Sequence, residues 1–553
     1  MIPNLKDYEE TKRSFTFAKA AAEISFFADG TLNAGYIAVD VAAQKNGKKI
    51  ALYWEGDNKE KKTFTFAEIS LLSNKFANLL QSFGVKKGDR VFFFLPKVPQ
   101  VYYGLLGALK AGAIAGTFFP AFGKQALYDR LNNSGAKVLV TNSELYERIK
   151  EIEKTLPELE KVLLIDKELE ALTEKASSEF SPVHLQPDDP MFMLYTSATG
   201  NTPVCGIVTP QKAIIQQKIT AKWVLDLHDE DVYWCTADPG WVTGAVYGIL
   251  APWSLGISQV VYAGRFEPEK WYEVIQNYKV SVLYTAPTAI RMLMADNEAL
   301  KKYDLSSLRH LCSVGEALPP ACVEWTMKYF GLPIHDTWWQ TETGAMMITN
   351  YRSLKIKPGS MGKPIPGLQA GIINEKSEEV PEGTEGDLAF KTGWPSMMID
   401  VWRNPERYKT YFRDGWFISG DRATKDKDGY YWFIGRTDDV IKTSGERVGP
   451  FEVEAALQSH PAVLESGVIG KPDPLRGQII KAFIVLKPGV QASEELKIEI
   501  QKFVKKELAG HAYPREIEFI DKLPKNRSGK IVRRLLKAKE LGLPLGDIST
   551  LED

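Results

Sequence analysis

The chain has 553 residues, which at about 150 residues per domain predicts three to four domain-sized units rather than one core. Hydrophobic residues make up 44% and charged residues 25%, the composition of a soluble globular protein. Sixty-nine Lys plus Arg against 70 Asp plus Glu leave a net charge of -1, which argues against a nucleic-acid coat or a membrane-surface protein. Cys205, Cys235, Cys312 and Cys322 fall at no disulfide, redox or metal-ligand spacing, so a reducing cytoplasmic setting is expected. The first residues lack the apolar core that a signal peptide needs.

Along the chain, short apolar runs alternate with helical or glycine-bearing sequence. The run 91–95 leads into the apolar stretch 101–119, which carries Lys110 and many small residues. It reads as a buried crossover helix rather than a membrane span. Further β-branched runs stand at 137–141, 162–166, 260–262, 281–284 and 310–314. Continuous apolar strands separated by helices predict a layered α/β fold with parallel sheets. After about residue 359 the pattern changes. Short strands between turn signals, from 364 to 433, predict a small antiparallel module. From 438 to 553 a compact α+β piece follows, with helices at 450–458, 494–508 and 531–539 and strands around 467–470 and 482–486. It is nearly neutral, yet 522–539 holds eight positive side chains and no acidic one.

Several segments carry possible chemistry. Tyr195-Thr196-Ser197-Ala198-Thr199-Gly200-Asn201-Thr202-Pro203 follows an apolar strand, and small hydroxyl residues with glycine there suit a phosphate cradle or an ordinary turn. It is not a P-loop, since no Gly-Lys-Ser/Thr is present. In Asp336-Thr337-Trp338-Trp339-Gln340-Thr341-Glu342-Thr343-Gly344, two adjacent tryptophans cannot share one face of a strand. One is expected to pack inward and the other to wall a pocket, while Glu342 suits magnesium and Thr341 a phosphate. The alternative is a surface turn with one packed indole. Ser419-Gly420-Asp421 ends an apolar strand in an acid, placed either for ribose hydroxyls or as a plain turn. Gly435-Arg436-Thr437-Asp438-Asp439 suits a hinge, a helix cap or a turn.

Near the C-terminus, Pro524-Lys525-Asn526-Arg527-Ser528-Gly529-Lys530 puts a lysine on a glycine-bearing loop ahead of a basic helix. Such a charge suits neutralising a carboxylate and a phosphate that must meet. A solvated basic helix remains the plain alternative. Nucleic acid fits less well, because no aromatic residues interleave. The six histidines form no ligand pattern, and no Gly-x-Ser-x-Gly elbow or zinc signature occurs.

Together with Trp234-Cys235-Thr236-Ala237-Asp238-Pro239-Gly240-Trp241-Val242-Thr243-Gly244, Ser313-Val314-Gly315-Glu316-Ala317-Leu318 and Ser444-Gly445-Glu446-Arg447-Val448-Gly449, these segments run in order from about Tyr8 to the end of the chain. They resemble the adenylate-forming superfamily, specifically AMP-forming acetyl-CoA synthetases and their medium-chain acyl relatives. The resemblance implies a large N-terminal domain, 1–437, of two α/β subdomains plus a small β-barrel. A mobile α+β C-terminal domain, 438–553, would pivot about Asp438. It implies ATP or AMP, magnesium and coenzyme A as ligands, and acetate as the acid.

By the same resemblance, Thr196, Ser197, Thr199, Gly200, Thr202, Asp336, Thr337 and Trp338 face the nucleotide. Gly315, Glu316 and Ala317 border the adenine, and Asp421 takes the ribose with Arg436 nearby. Thr341 lies at the phosphates and Glu342 at magnesium. Lys530 is the adenylation lysine, Arg447 sits near the phosphates, Gly445 flanks the pantetheine tunnel and Arg130 approaches the nucleotide end of CoA. Val242, Thr243, Val314 and Trp339 line the acyl pocket, where an indole floor favours acetate over propionate or longer acids. A monomer or homodimer is expected, with no membrane or nucleic-acid partner. The resemblance also makes Lys530 a target for a lysine acetyltransferase and deacetylase.

The phosphate loop departs from the family pattern Tyr-Thr-Ser-Gly-[Ser/Thr]-Thr-Gly-x-Pro-Lys-Gly. Ala198 replaces the first glycine, Asn201 stands at the second, and no lysine follows Pro203. Three consequences stay open: turnover with weaker ATP binding, kinetics suited to the ATP-forming direction, or a nucleotide-binding regulator without turnover.

Overall fold

The computed structural model describes residues 1–196, 205–294, 297–437, 439–443, 446–474, 476–508, 512–526 and 530–545, with the backbone alone at 297–298 and 446–447. Arg90–Phe94 lies inside a seven-stranded sheet, parallel to the central strand Ile114–Phe118 on one side and to Val138–Thr141 on the other. Lys161–Leu164 extends the parallel set beyond Val138–Thr141, and Pro190–Tyr195 extends it beyond Ile114–Phe118. Gly206–Pro210 and Asp400–Val401 close one edge in antiparallel fashion.

The apolar stretch 101–119 is not one helix. Pro99–Lys110 is the crossover helix, Gly112 turns the chain with φ 77°, and the remainder is the strand Ile114–Phe118. The small residues that suggested a tight helix serve both elements. A Cβ at Gly107 would meet Ser73 O at 2.6 Å on the neighbouring helix, and one at Gly116 would meet the Phe92 ring at 2.2 Å. Lys110, fully buried, pairs with Asp40 at 2.7 Å and donates to Ser73 and Asn74. Among the described residues no helix is long and apolar enough to cross a membrane.

A second, nine-stranded sheet has a parallel centre of Ser258–Tyr262, Val232–Cys235, Val282–Thr285, His310–Ser313 and Ile334–Trp338. The continuous apolar runs in the sequence become strands covered on both faces, as parallel sheets require. A third sheet, built from Ala370–Ile373, Gly386–Lys391, Phe412–Arg413, Trp416–Lys425 and Tyr431–Arg436, is wholly antiparallel. The C-terminal part wraps Pro450–Gln458, Glu494–Glu507 and Arg533–Leu541 around Ile441–Thr443, Glu446–Val448, Val463–Asp473, Gly477–Leu486 and Glu516–Phe519. It has its own core of Val453, Leu457, Val468, Ile480, Ile484 and Ile500. The architecture is a large α/β region with an antiparallel module and a smaller α+β C-terminal domain.

Where the two parts meet, Phe433 and Phe451 pack with ring centroids 6.1 Å apart. Gly449 lies so close to Ile434 that a Cβ there would stand 2.1 Å from the Ile434 carbonyl oxygen. Only glycine fits that approach.

Candidate active site

Strands of both α/β sheets end at one cavity of about 1640 Å³. Thr196 follows the strand Pro190–Tyr195, Thr236 follows Val232–Cys235, and Val314 follows His310–Ser313. Thr285 and Trp338 are themselves the last residues of their strands. Open α/β sheets bind ligands outside the carboxyl ends of their strands, where backbone groups run out of partners. The antiparallel module supplies Ser419–Asp421 and Arg436, and the C-terminal domain supplies Lys530, so side chains far apart in sequence converge.

At one end stands Asp421. Its Oδ2 accepts from the Trp338 indole N–H at 3.0 Å and from Gln340 at 3.3 Å. Its buried Oδ1 accepts no hydrogen bond, with the Arg436 guanidinium 3.5 Å away. Burial raises the Asp421 carboxyl above its ordinary range, while Arg436 and the indole hold it down. A buried acceptor without a donor is costly unless a ligand supplies one. Gly315, at φ 92°, turns the chain after the strand end. Glu316 accepts from Thr288 N at 3.1 Å and pairs with Arg291 at 3.0 Å, so it braces the wall that Gly315 and Ala317 line.

The two tryptophans separate as the strand alternation requires. Trp338 stacks on Phe390 with centroids 5.5 Å apart. Trp339 points the other way and meets Tyr247 edge-on at 5.1 Å. Its N–H donates to Tyr284 OH at 3.3 Å, Tyr284 donates to Thr337 Oγ1 at 2.8 Å, and Thr337 donates to the Ser313 carbonyl at 2.7 Å. The indole is therefore held by a chain of hydrogen bonds as well as by packing. Val242, Thr243 and Val314 line the cavity with it. Tyr247 and Tyr284 have no local sequence signal, since both are buried strand or helix residues contributed from elsewhere.

Thr341 and Glu342 occupy a single turn of 3₁₀ helix, and Tyr411 OH donates to Glu342 Oε1 at 3.1 Å. Asp336 is buried, its Oδ1 accepting from Thr337 N at 2.9 Å, and desolvation pushes its carboxyl up to about 7. Among the described residues no three His, Cys, Asp or Glu side chains gather as metal ligands.

Lys530 enters from the C-terminal domain. Its backbone N–H donates to Asn526 Oδ1 at 2.9 Å, and its carbonyl accepts from Asn526 N at 2.9 Å, which closes the loop that carries it. The ammonium is open to the cavity but enclosed by protein around that cavity. This enclosure lowers its pKa, Arg436 lowers it further, and Asp421 opposes both.

Arg130 is not brought to the cavity. It is buried, donates to the Ala126 carbonyl at 2.9 Å and lies 4.2 Å from the Phe122 ring centre, so in this arrangement it belongs to the core. Ser197, Thr199, Gly200, Thr202, Asp438 and Gly445 lie outside the described residues, as does the side chain of Arg447. The backbone of Arg447 pairs with Lys442. The sequence reading missed Lys97 and Asp238, which line the cavity, and Arg407 and Tyr411, which line it beside Glu342. Asp238 sits inside a segment that already stood out, whereas Arg407 and Tyr411 lie in one with no distinguishing pattern.

The model of the AMP-binding enzyme family matches residues 39–398, and that of the AMP-binding enzyme C-terminal domain matches 452–530. The acetyl-coenzyme A synthetase of Bacillus subtilis (strain 168) is 54% identical, over 100% of this chain and 98% of its own. That of Methanothrix thermoacetophila is 42% identical, over 95% of this chain and 86% of its own. Among solved structures, the anthranilate CoA ligase AuaEII in complex with anthranoyl-AMP superposes with a TM-score of 0.86 at 29% identity, covering 95% of this chain and 99% of that one. A Brucella canis acyl-CoA synthetase gives 0.76 at 33% identity, covering 97% and 99%. The chain belongs to the AMP-binding, adenylate-forming enzyme family, in its branch of AMP-forming acetyl-CoA synthetases.

Proposed function

We propose that this chain joins acetate to coenzyme A in two steps that share one cavity, with Lys530 serving only the first. The overall reaction converts acetate, ATP and CoA to acetyl-CoA, AMP and pyrophosphate. The observation that carries the division of labour is the convergence of Asp421, Trp339 and Lys530, from three parts of the fold, on that cavity.

A carboxylate is a poor acyl donor because oxide would have to leave. In the first step an acetate oxygen attacks the α-phosphorus of ATP, and pyrophosphate departs. Asp421 Oδ1 is the acceptor for the ribose hydroxyls, and Gly315 to Ala317 flank the base. Lys530 places an ammonium between two anions that otherwise repel each other in a poorly solvated chamber. Trp339, with Val242, Thr243 and Val314, closes the acyl end around a methyl group. The acid range extends to propionate as a weaker substrate, since one CH₂ is a small discriminant. In the second step the CoA thiol attacks the acetyl-adenylate and AMP leaves. We assign the boundary between the domains to Asp438, with the C-terminal domain rotating there to exchange the Lys530 face for the one carrying Gly445 and Arg447.

Magnesium fits the residues present. Glu342 is a single carboxylate at the phosphate end, and this ion usually takes one or two protein carboxylates, completing its shell with phosphates and water. When bound it supplies charge neutralisation on the phosphates. Tyr411 orients Glu342 for that role. The four described cysteines are buried free thiols, which supports a cytoplasmic setting; a monomer or homodimer, and acetylation of Lys530, belong to the same reading. Acetylation would remove the ammonium charge and stop the first step.

The test separates the half-reactions. Lys530→Ala is expected to abolish acetate-dependent exchange of pyrophosphate into ATP while keeping thioester formation from supplied acetyl-adenylate and CoA. Equal loss of both would refute the division. Nucleotide binding by the unaltered chain without either half-reaction would make it a regulator instead.

A further inference from the structure

The phosphate end of the cavity has an electrostatic gap in the sequence. From Tyr195 to Ile207, the segment that the resemblance assigns to the phosphates, the chain carries no lysine, arginine or histidine, yet ATP brings three phosphates. Glu342 adds a negative charge of its own. Arg291, Arg533 and Lys525 line the same cavity, but each is paired with a carboxylate, Glu316, Glu454 and Glu465 respectively.

Arg407 stands differently. It lies on the short helix Pro405–Lys409 of the N-terminal region, its side chain exposed and lining the cavity. Its backbone is held at both ends: its N–H donates to Asn404 Oδ1 at 3.0 Å, and its carbonyl accepts from Thr410 Oγ1 at 2.7 Å. The guanidinium lies 5.0 Å from the centre of the Tyr411 ring, and that same tyrosine donates to Glu342. The guanidinium hydrogen-bonds the Tyr411 hydroxyl and the Cys205 thiol, and its remaining N–H donors are open to phosphate oxygens. The Cys205 thiol, just beyond the loop, lies beside it.

We propose that Arg407 binds the β- and γ-phosphates of ATP and the pyrophosphate they become, supplying the cation that the loop itself lacks. This rests on the adenylation reading above and names a residue for the leaving-group end of that site. Arg407 holds the departing pyrophosphate in line with the α-phosphorus, opposite the acetate. It belongs to the N-terminal region, so it stays in place when Lys530 is withdrawn.

The test uses the full-length enzyme with Arg407→Ala, Arg407→Gln and Arg407→Lys. In acetate-dependent pyrophosphate–ATP exchange, Arg407→Ala and Arg407→Gln should raise KM for both ATP and pyrophosphate about tenfold or more, the weight of one charge-assisted contact. Arg407→Lys should recover part of that loss. AMP, which has neither outer phosphate, should bind as to the unaltered enzyme, and acetyl-adenylate with CoA should yield acetyl-CoA at the unaltered rate. KM values within twofold of the original overturn the proposal, and so does a parallel loss of AMP binding, which marks a structural role. Failure of the unaltered enzyme to exchange pyrophosphate overturns the adenylation reading instead, and is seen before any variant is made.

Discussion

The indole N–H of Trp338 donates to Asp421 Oδ2 at 3.0 Å and thereby leaves Oδ1 facing the cavity without a donor. One oxygen is committed to the protein, and under the proposed function the other is the one that meets the nucleotide. Asp421→Asn replaces half of that acceptor pair with a donor and is expected to weaken AMP binding about 10- to 100-fold, since hydrogen bonds to charged groups contribute about 1.5–3 kcal/mol. Trp338→Phe keeps the stacking on Phe390 but leaves Oδ2 only the Gln340 donor at 3.3 Å, and a smaller loss is expected. Isothermal titration with AMP measures both. An Asp421→Asn protein binding AMP normally would remove the carboxylate from the ribose site.

Trp339→Gly should open the floor of the acyl pocket. Each additional buried methylene is worth about 0.8 kcal/mol, so two or three would shift kcat/KM toward four- and five-carbon acids by about 10- to 100-fold relative to acetate. The same change removes the edge contact with Tyr247 and the hydrogen bond to Tyr284, so a lower Tm is expected. Unchanged acid preference in steady-state assays would show that the pocket ends elsewhere.

The rate of the first half-reaction should depend on the charge of Lys530. Enclosure by protein, and then Arg436, lower its pKa from the usual 10.5, so the ammonium is lost at a lower pH than for a free lysine. Pyrophosphate exchange should therefore fall as pH rises through that lowered value. Arg436→Gln removes the neighbouring cation and should move the falling limb to higher pH. A limb that stays in place would assign it to another group.

Gly449→Ala would put a Cβ 2.1 Å from the Ile434 carbonyl oxygen across the interface between the two parts of the chain. The arrangement that brings Lys530 to the cavity should be disfavoured, because backbone cannot yield as a flexible side chain can. We expect pyrophosphate exchange to drop at least tenfold with thioester formation from acetyl-adenylate largely kept. Equal loss in both assays would show that the contact persists through the whole cycle.

Much of this was legible along the chain because the signals are local. Strands buried on both faces must be continuously apolar, so Arg90–Phe94, Val138–Thr141 and Val282–Thr285 announce themselves. The helix Pro450–Gln458 is signalled by proline at its first turn. The stretch 101–119 was misread as a single helix because a covered strand and a buried helix have the same composition, and only Gly112 marks the turn. Arg130 was placed beside CoA by resemblance, yet its guanidinium is enclosed by Phe122 and Tyr195.

The order of residues alone determined the adenylate-forming architecture, the acid at Asp421, the paired indoles and the lysine on its glycine-bearing loop, although the strand expected to end at Asp421 runs on to Lys425 because residues 421–425 pair with Tyr431–Arg436. The layered α/β reading rests on periodicity, and the rest on short contiguous segments that resemble the family's motifs. Tertiary structure alone decided that Tyr247 and Tyr284 brace Trp339, that Arg407 and Tyr411 stand at Glu342, and that Gly449 must admit Ile434. Each of these is a contact between residues far apart in the chain. No local pattern encodes such a contact, because what selects the side chain is the space left by a distant neighbour.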